Sequence, residues 1–406
     1  MRKEAISWWD MPGPQRFVGD IAADLEAGRH VVVGLPPHTP SQLLNHLIHY
    51  SQPGLDIRSW QYVSPPQLAD DQSPAEWMWH YWKQGQDDPC PFDLTPQELA
   101  RRTDLPVGKR VVLSNLLPVD WQKWWDFLWD YASQAQQTNS LRRNLFCLLV
   151  EDPAVLACLP TKQESQFRVH CYDGRCSRLD MQLYVAAHNG GSTSDAPLTL
   201  IEEIRQELAA LLFQTDPDAA LEVAKLPTPE AFALQSIVEN VATKRQWSTD
   251  VHKITAGTAV EWAHGWIDQR HPRAWRHPGA PHAIAPHQRA EMALWQAQVR
   301  VLLPWIEQRR RELLCEQPVR TFLKGKLPHQ FERDWKTTQA ELHYTKDQVD
   351  SLELGFILEL FSEKWDKMDA GQKASIRKFK ALKAGRDNLS HLKPMSWQEI
   401  EALLDI

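Results

Sequence analysis

Short apolar runs punctuate the first part of the chain: His30–Gly34 (HVVVG), Ile57–Val63 (IRSWQYV), Lys109–Leu113 (KRVVL) and Asn144–Val150 (NLFCLLV). Apart from Ile57–Val63, which Arg58, Ser59 and Gln61 interrupt, their apolar cores have the pattern of strands covered on both faces. Between them the apolar positions recur at helical spacing, over Phe17–Ala27, Ser73–Gln84 and Asp120–Gln136. Strands alternating with helices predict a parallel sheet with helices on both faces. Beyond Pro197 the strand pattern stops. Thr199 and Glu202 have capping-box spacing, with Ile201, Ile204, Leu208, Leu211 and Leu212 behind them, and Thr228-Pro229 reads as a second helix start. Residues 286–316 carry Trp295, Val299, Leu302, Leu303 and Ile306 in one long helical stretch, with a kink expected at Pro304. Ser351–Phe361, Ala374–Gly385 and Trp397–Leu404 complete a helical C-terminal part, the last opened by Ser396 and Glu399.

Asn189–Pro197 (NGGSTSDAP) cannot bury apolar surface and is the expected linker. The organisation read from the pattern is therefore an α/β domain with a parallel sheet over 1–189, a helical extension over 198–285 and a helical bundle over 286–406.

A length of 406 residues asks for two or three domains. The net charge of −7 means that any polyanion site must be a local patch. No apolar stretch reaches the length of a membrane span, and the N-terminal MRKEAISWWDMPGP lacks the apolar core of a signal peptide. Six cysteines in a chain this long make no disulfide framework, so a reducing cytoplasm is the expected compartment. The 19 tryptophans are read mainly as core and anchor residues.

The first strand runs into Leu35-Pro36-Pro37-His38-Thr39-Pro40-Ser41 and then a helix expected from near Ser41. Strand, loop and helix N-terminus form the frame of a phosphate-binding loop. On the pattern G-x-x-x-x-G-K-[ST], Gly34 takes the first position, Thr39 replaces the second glycine, Pro40 replaces the lysine and Ser41 is last. Without the lysine no charge meets the terminal phosphates, and Pro40 has no N–H to offer. Ser114-Asn115 stands at a strand end where a magnesium-binding acidic pair would be expected, and Glu151-Asp152 beyond the last strand reads as a solvated loop. The alternatives are an ordinary strand-to-helix turn and a P-loop fold that no longer hydrolyses nucleotide. In element order, residues 15–185 resemble P-loop NTPases of the AAA or STAND type with both nucleotide motifs degraded. That resemblance implies Gly34, Thr39 and Ser41 as a degenerate nucleotide site, with no ATPase activity and no cofactor.

Near the C-terminus, AGRDNLSHLKPM places Arg386, Asp387 and Asn388 shortly before His391. A basic helix with Lys373, Arg377, Lys378, Lys380 and Lys383 leads in. This stretch resembles the signature of the HEPN superfamily, an arginine and a polar residue followed after a short spacer by histidine. The resemblance implies a helical module that is either an inert interaction domain or a metal-independent ribonuclease. In a ribonuclease Arg386 would clamp phosphate, His391 would act as acid and base, and Asp387 or Asn388 would orient them across a homodimer.

Two stretches invite a metal reading. His170, Cys171 and Cys176 flank Tyr-Asp-Gly-Arg, which reads more simply as a hairpin turn on Asp173-Gly174. His264, His271, His277, His282 and His287 lie among prolines at spacings that do not repeat on a helix, so solvated histidines are expected. No metal is expected.

Three functions follow as expectations. The first is a cytoplasmic regulator or scaffold, an inactive NTPase-like module joined to a HEPN-like interaction module. Its partners would be other proteins of the same bacterial anti-phage system, by analogy with proteins that pair these parts. The second is the ribonuclease. The third is non-catalytic RNA or DNA binding through Arg377, Lys378, Lys380 and Lys383. No membrane association is expected.

Overall fold

The computed structural model describes residues 6–37, 39–50, 60–84, 88–135, 143–160, 167–174, 176–189, 199–213, 216–226, 233–244, 258–264, 286–327, 346–362, 368 and 370–405. The expected linker lies outside these residues apart from Asn189, as do Thr228-Pro229, His271, His277 and His282. Two compact units divide the chain. One comprises residues 1–193, 212–222 and 238–286, the other residues 194–211, 223–237 and 287–406.

The first unit opens with α1 (Pro12–Glu26) and β1 (His30–Gly34), followed by α2 (Leu43–Tyr50) and β2 (Trp60–Val63). Then come α3 (Pro74–Trp82), α4 (Pro96–Arg101), β3 (Arg110–Leu113), α5 (Trp121–Ala135), β4 (Leu145–Val150), α6 (Pro153–Cys158), β5 (Phe167–Cys171) and α7 (Arg178–Asn189). The five strands form one sheet in the order β2-β3-β4-β1-β5, and every pairing is parallel. Val31 stands opposite Cys147 on one side and Arg168 on the other.

Alternate residues of each strand serve opposite faces. Val32, Val111, Leu113, Phe146, Leu148 and Val150 share one core with Met78, Trp79, Leu99, Trp124, Phe127 and Leu156 of α3 to α6. Phe17, Ile21 and Leu25 of α1 and Leu43 and Leu47 of α2 are buried outside that cluster, and α1 packs on α2 and β1. This is the arrangement right-handed crossovers impose. The connection from β1 to β2 runs one way across the sheet, and those from β2, β3 and β4 run the other. The unit is thus a three-layer α/β domain.

Two sequence expectations change here. The CYDGRC run is not a hairpin: β5 has no antiparallel partner among the described residues, and the chain passes through Gly174 (φ +60°) into α7. Ser177 and Asp180 close that helix start by reciprocal hydrogen bonds of 2.7 and 3.1 Å. The helix expected over Phe17–Ala27 also starts earlier, at Pro12. Pro12, Gly13 and Pro14 form the first turn of α1, where proline N–H groups are not needed.

The remaining helices are α8 (Leu200–Leu212), α9 (Pro217–Lys225), α10 (Leu234–Lys244), α11 (Thr258–Ala263), α12 (Pro286–Cys315), α13 (Gln317–Lys326), α14 (Leu354–Ser362), α15 (Ala370–Ser390) and α16 (Trp397–Leu404). Of these, α11 packs on α6 within the first unit. The second unit is helical among its described residues. Its α12 continues through Pro304 for 30 residues. The helix expected over Ser351–Phe361 divides into a 3₁₀ turn at Lys346–Ser351 and α14. In α15, Gly385 sits mid-helix because a Cβ there would meet Leu403 at 3.2 Å. No helix among the described residues is long and apolar enough to cross a membrane.

Candidate functional site

In an open parallel sheet, ligands bind beyond the carboxyl ends of the strands where neighbouring connections leave in opposite directions. Here that point lies between β1 and β4. A cavity of about 440 Å³ occupies it, lined by the loop after β1, the start of α2, Leu149 and Glu151.

The loop is fastened from three sides. Leu35 N–H donates to the Val150 carbonyl (2.8 Å). The Thr39 hydroxyl donates to the Pro36 carbonyl (2.6 Å), so its polar group closes a turn. The indole of buried Trp9 donates to the Ser41 carbonyl (2.7 Å). Gln42 takes φ +73° before α2, a backbone state that costs roughly 1–2 kcal/mol for a residue with a side chain. That conformation delays the helix from Ser41 to Leu43.

Gly34 is placed by packing. A Cβ on it would lie 2.8 Å from Leu159, 3.0 Å from Trp262 and 3.1 Å from Leu156. Trp262, fully buried on α11, is held there by donating to the Tyr172 carbonyl (2.7 Å). The cavity wall holds Pro36, Pro37 and Pro40, which carry no N–H, and among its described lining residues the one ionisable group is the Glu151 carboxylate. Asp152 is occupied as the N-cap of α6, accepting from Ala154 N–H at 2.9 Å and Val155 N–H at 3.3 Å. Past β3, Asn115 (φ +57°) donates to the Ser64 hydroxyl (3.1 Å).

In the second unit, Arg386, Asp387 and Asn388 lie inside the last two turns of α15, and His391 follows its end. Arg386 and His391 are both exposed. Asp387 forms an ion pair with Lys383 one turn back. Asn388 donates to Glu399 (3.4 Å), whose carboxyl is held below its usual range chiefly by the Ser396 backbone N–H. The His391 Nδ1 lies 2.7 Å from the Asp387 carbonyl, so that nitrogen carries the proton and Nε2 is the acceptor. Five residues of helix advance about 500°, so the Cα directions of Arg386 and His391 differ by about 140°. The same geometry puts Arg386 about 180° from Arg377. Arg377 and Lys380 are exposed on one face, and Lys378 is half-buried.

The turn after α15 is a Schellman motif. Lys393 N–H donates to the Asn388 carbonyl (3.1 Å), Leu392 N–H points to the Leu389 carbonyl (3.4 Å), and Leu392 has φ +58°. Two residues of α12 hold it. Trp295 donates to the Leu389 carbonyl (2.7 Å), and fully buried Gln298 exchanges two hydrogen bonds with the Met395 backbone (2.8 and 2.7 Å). Sequence reading gave Trp295 only an apolar role and did not single out Gln298, since nothing local links them to a turn some 95 residues away.

Among the described residues, no group of three or more His, Cys, Asp or Glu could hold a metal ion. His264 is exposed after α11, and His170 pairs with Asp24 at 2.7 Å. Compared with known proteins, the chain matches no family model and no curated protein.

Proposed function

We propose that the chain is a regulatory or scaffolding protein whose first unit is a P-loop-like module without nucleotide turnover and whose second unit is a HEPN-like interaction module. The observation that carries this reading is the wall of the β1–β4 cavity. Its described lining is three prolines, leucines, the polar Thr39, Ser41, Gln42 and Asn45, and one carboxylate, with no lysine or arginine among them where a triphosphate would need cations. The sheet order and the loop at its switch point support the P-loop resemblance, and the lost chemistry supports a non-hydrolysing descendant. By the same resemblance, the partners would be other proteins of a bacterial anti-phage system.

The Arg386–His391 geometry favours contact over catalysis. Asp387 and Asn388 are engaged with Lys383 and Glu399, and Arg386 leaves the helix on a different side from His391. A ribonuclease is the second reading, favoured by the exposed His391 with Nε2 as its basic nitrogen.

Purified full-length protein is expected to show no Mg²⁺-dependent ATP hydrolysis above that of a Ser41→Ala variant. Robust turnover abolished by that substitution would sink the proposal. RNA cleavage in EDTA, lost in His391→Ala, would instead establish the second reading.

A further inference from the structure

The charge that the β1–β4 crevice does carry has a sign. Glu151 follows directly on the last residue of β4, is exposed, and has no hydrogen-bond or ion-pair partner among the described residues. Leu43, Leu44 and Asn45 at the start of α2 line the same space, and a helix dipole brings roughly half a positive charge to its N-terminus. A carboxylate carries a full negative charge, so among the described lining residues the negative sign wins. His38 of the loop lies outside the described residues.

Ser41, Gln42 and Asn45 are exposed in the same wall, and their side chains make no hydrogen bond among the described residues. Each can turn an oxygen toward a donor. The Thr39 hydroxyl cannot serve as a donor elsewhere, because it is spent on the Pro36 carbonyl (2.6 Å). The rest of the described wall is leucine and proline. Gln42 holds φ +73° there, and backbone strain of this kind collects at ligand clamps. A carboxylate, neutral oxygens and an apolar floor match a cationic head on an aliphatic stem. A guanidinium has five N–H donors and no acceptor, and it pairs with a carboxylate through two parallel bonds. Its stem lies along apolar surface while the head stays near water. The volume of about 440 Å³ falls within the range of about 300–1,000 Å³ usual for small-ligand sites.

We propose that the β1–β4 crevice binds a guanidinium group on a short aliphatic stem, with the head on Glu151 and the stem against the proline and leucine wall. The proposal rests on the reading of this crevice as one without nucleotide turnover and gives it a ligand. The switch point of the sheet keeps its pocket, with the charge preference of a phosphate site reversed.

The test is thermal unfolding of the full-length protein at pH 8 and constant ionic strength, where imidazoles of ordinary pKa are neutral. The probes are propylguanidinium, acetyl-arginine amide and the uncharged isostere acetyl-citrulline amide. A saturable rise in Tm with the two cations and none with the citrulline amide is expected, a comparison that needs no variant. Glu151→Gln keeps the shape and should weaken the apparent affinity about tenfold or more. Glu151 is exposed, so folding should survive that change. Glu151→Lys should abolish the response. Glu359→Gln, at an exposed carboxylate of α14 in the second unit, should retain it in full, which separates the crevice from general attraction to an acidic chain.

Tighter binding of acetyl-arginine amide would assign the ligand to an arginine side chain of a partner polypeptide, and tighter binding of propylguanidinium would assign it to a free cation. Equal responses to the arginine and citrulline amides, an unchanged response in Glu151→Gln, or a Tm rise with inorganic phosphate that Glu151→Gln strengthens would overturn the proposal. Mg²⁺-dependent ATP turnover would sink the earlier reading of the crevice, whereas no turnover together with no response to the cations would sink this proposal alone.

Discussion

Gly34→Ala is the change that asks most directly what the glycine after β1 is for. A methyl group there would be 2.8 Å from Leu159 Cδ1, with Trp262 and Leu156 at 3.0 and 3.1 Å. Comfortable carbon contacts lie at about 3.5–4.0 Å, so Leu156 of α6, Leu159 just past its end and Trp262 of α11 must retreat. Trp262 is fully buried and hydrogen-bonded, which leaves little room to move. Overpacking of this kind costs about 1–3 kcal/mol. The φ of Gly34 is not in the left-handed region, so alanine also gains about 0.4–1 kcal/mol through the unfolded chain. The net expectation is a loss of about 1–2 kcal/mol. At about 2–4 °C per kcal/mol for a unit of this size, Tm should fall by about 2–8 °C. Thermal melts followed by near-ultraviolet circular dichroism would measure it, with Leu159→Ala and the double variant completing a cycle. Leu159→Ala alone should destabilise by about 2–5 kcal/mol, and the two changes should couple by at least about 0.5 kcal/mol because one makes room for the other. An unchanged or raised Tm for Gly34→Ala, together with strict additivity, would refute the packing argument. A glycine kept only for close approach of a phosphate would behave that way.

Two further outcomes are expected. Leu392→Gly should stabilise the second unit by up to about 1 kcal/mol, because φ +58° strains a leucine and suits glycine; chemical denaturation giving no gain, or a loss, would contradict the Schellman assignment. His30 is buried, accepts the Phe146 N–H at 3.1 Å, and has its pKa lowered to about 3 by burial and then by the charge of Arg143. The unfolded chain therefore binds the extra proton first as pH falls. The contribution is fully present above about pH 6.5 and declines by about 1.4 kcal/mol per pH unit toward pH 3. Between pH 7 and pH 5 the wild type should lose about 2 kcal/mol more than His30→Asn, which keeps an acceptor for Phe146 but cannot charge; parallel pH curves in urea titrations would count against it.

The interior of the sheet was legible because β1, β3 and β4 are covered on both faces and write themselves as apolar runs. β5 was not, since FRVHC alternates polar and apolar residues as an edge strand does, and Asp173-Gly174 beside it imitates a hairpin turn. The capping signals at Thr95 and Asp152 stand in the sequence, yet the helices they start, of 6 residues each, are short enough to pass for loops. At the crevice, the missing lysine was readable, while the packing demand on Gly34 came from residues some 125 and 230 positions away. At the C-terminus the motif was visible as a string, but its strained turn and its anchors Trp295 and Gln298 exist only in three dimensions.

The place of β1 in the sheet also shapes how this chain emerges from a ribosome. It is among the earliest strands to be made, yet its two neighbours, β4 and β5, are encoded about 110 to 140 residues later. At about 5–20 residues per second, the valine-rich His30–Gly34 segment waits on the order of 5–30 s with both edges unpaired. During that interval it is a sticky, strand-forming peptide with nothing of its own to join. A nascent chain halted in α5 would carry that hazard permanently, so premature termination anywhere before β4 yields a product for the quality-control machinery and never a smaller working domain.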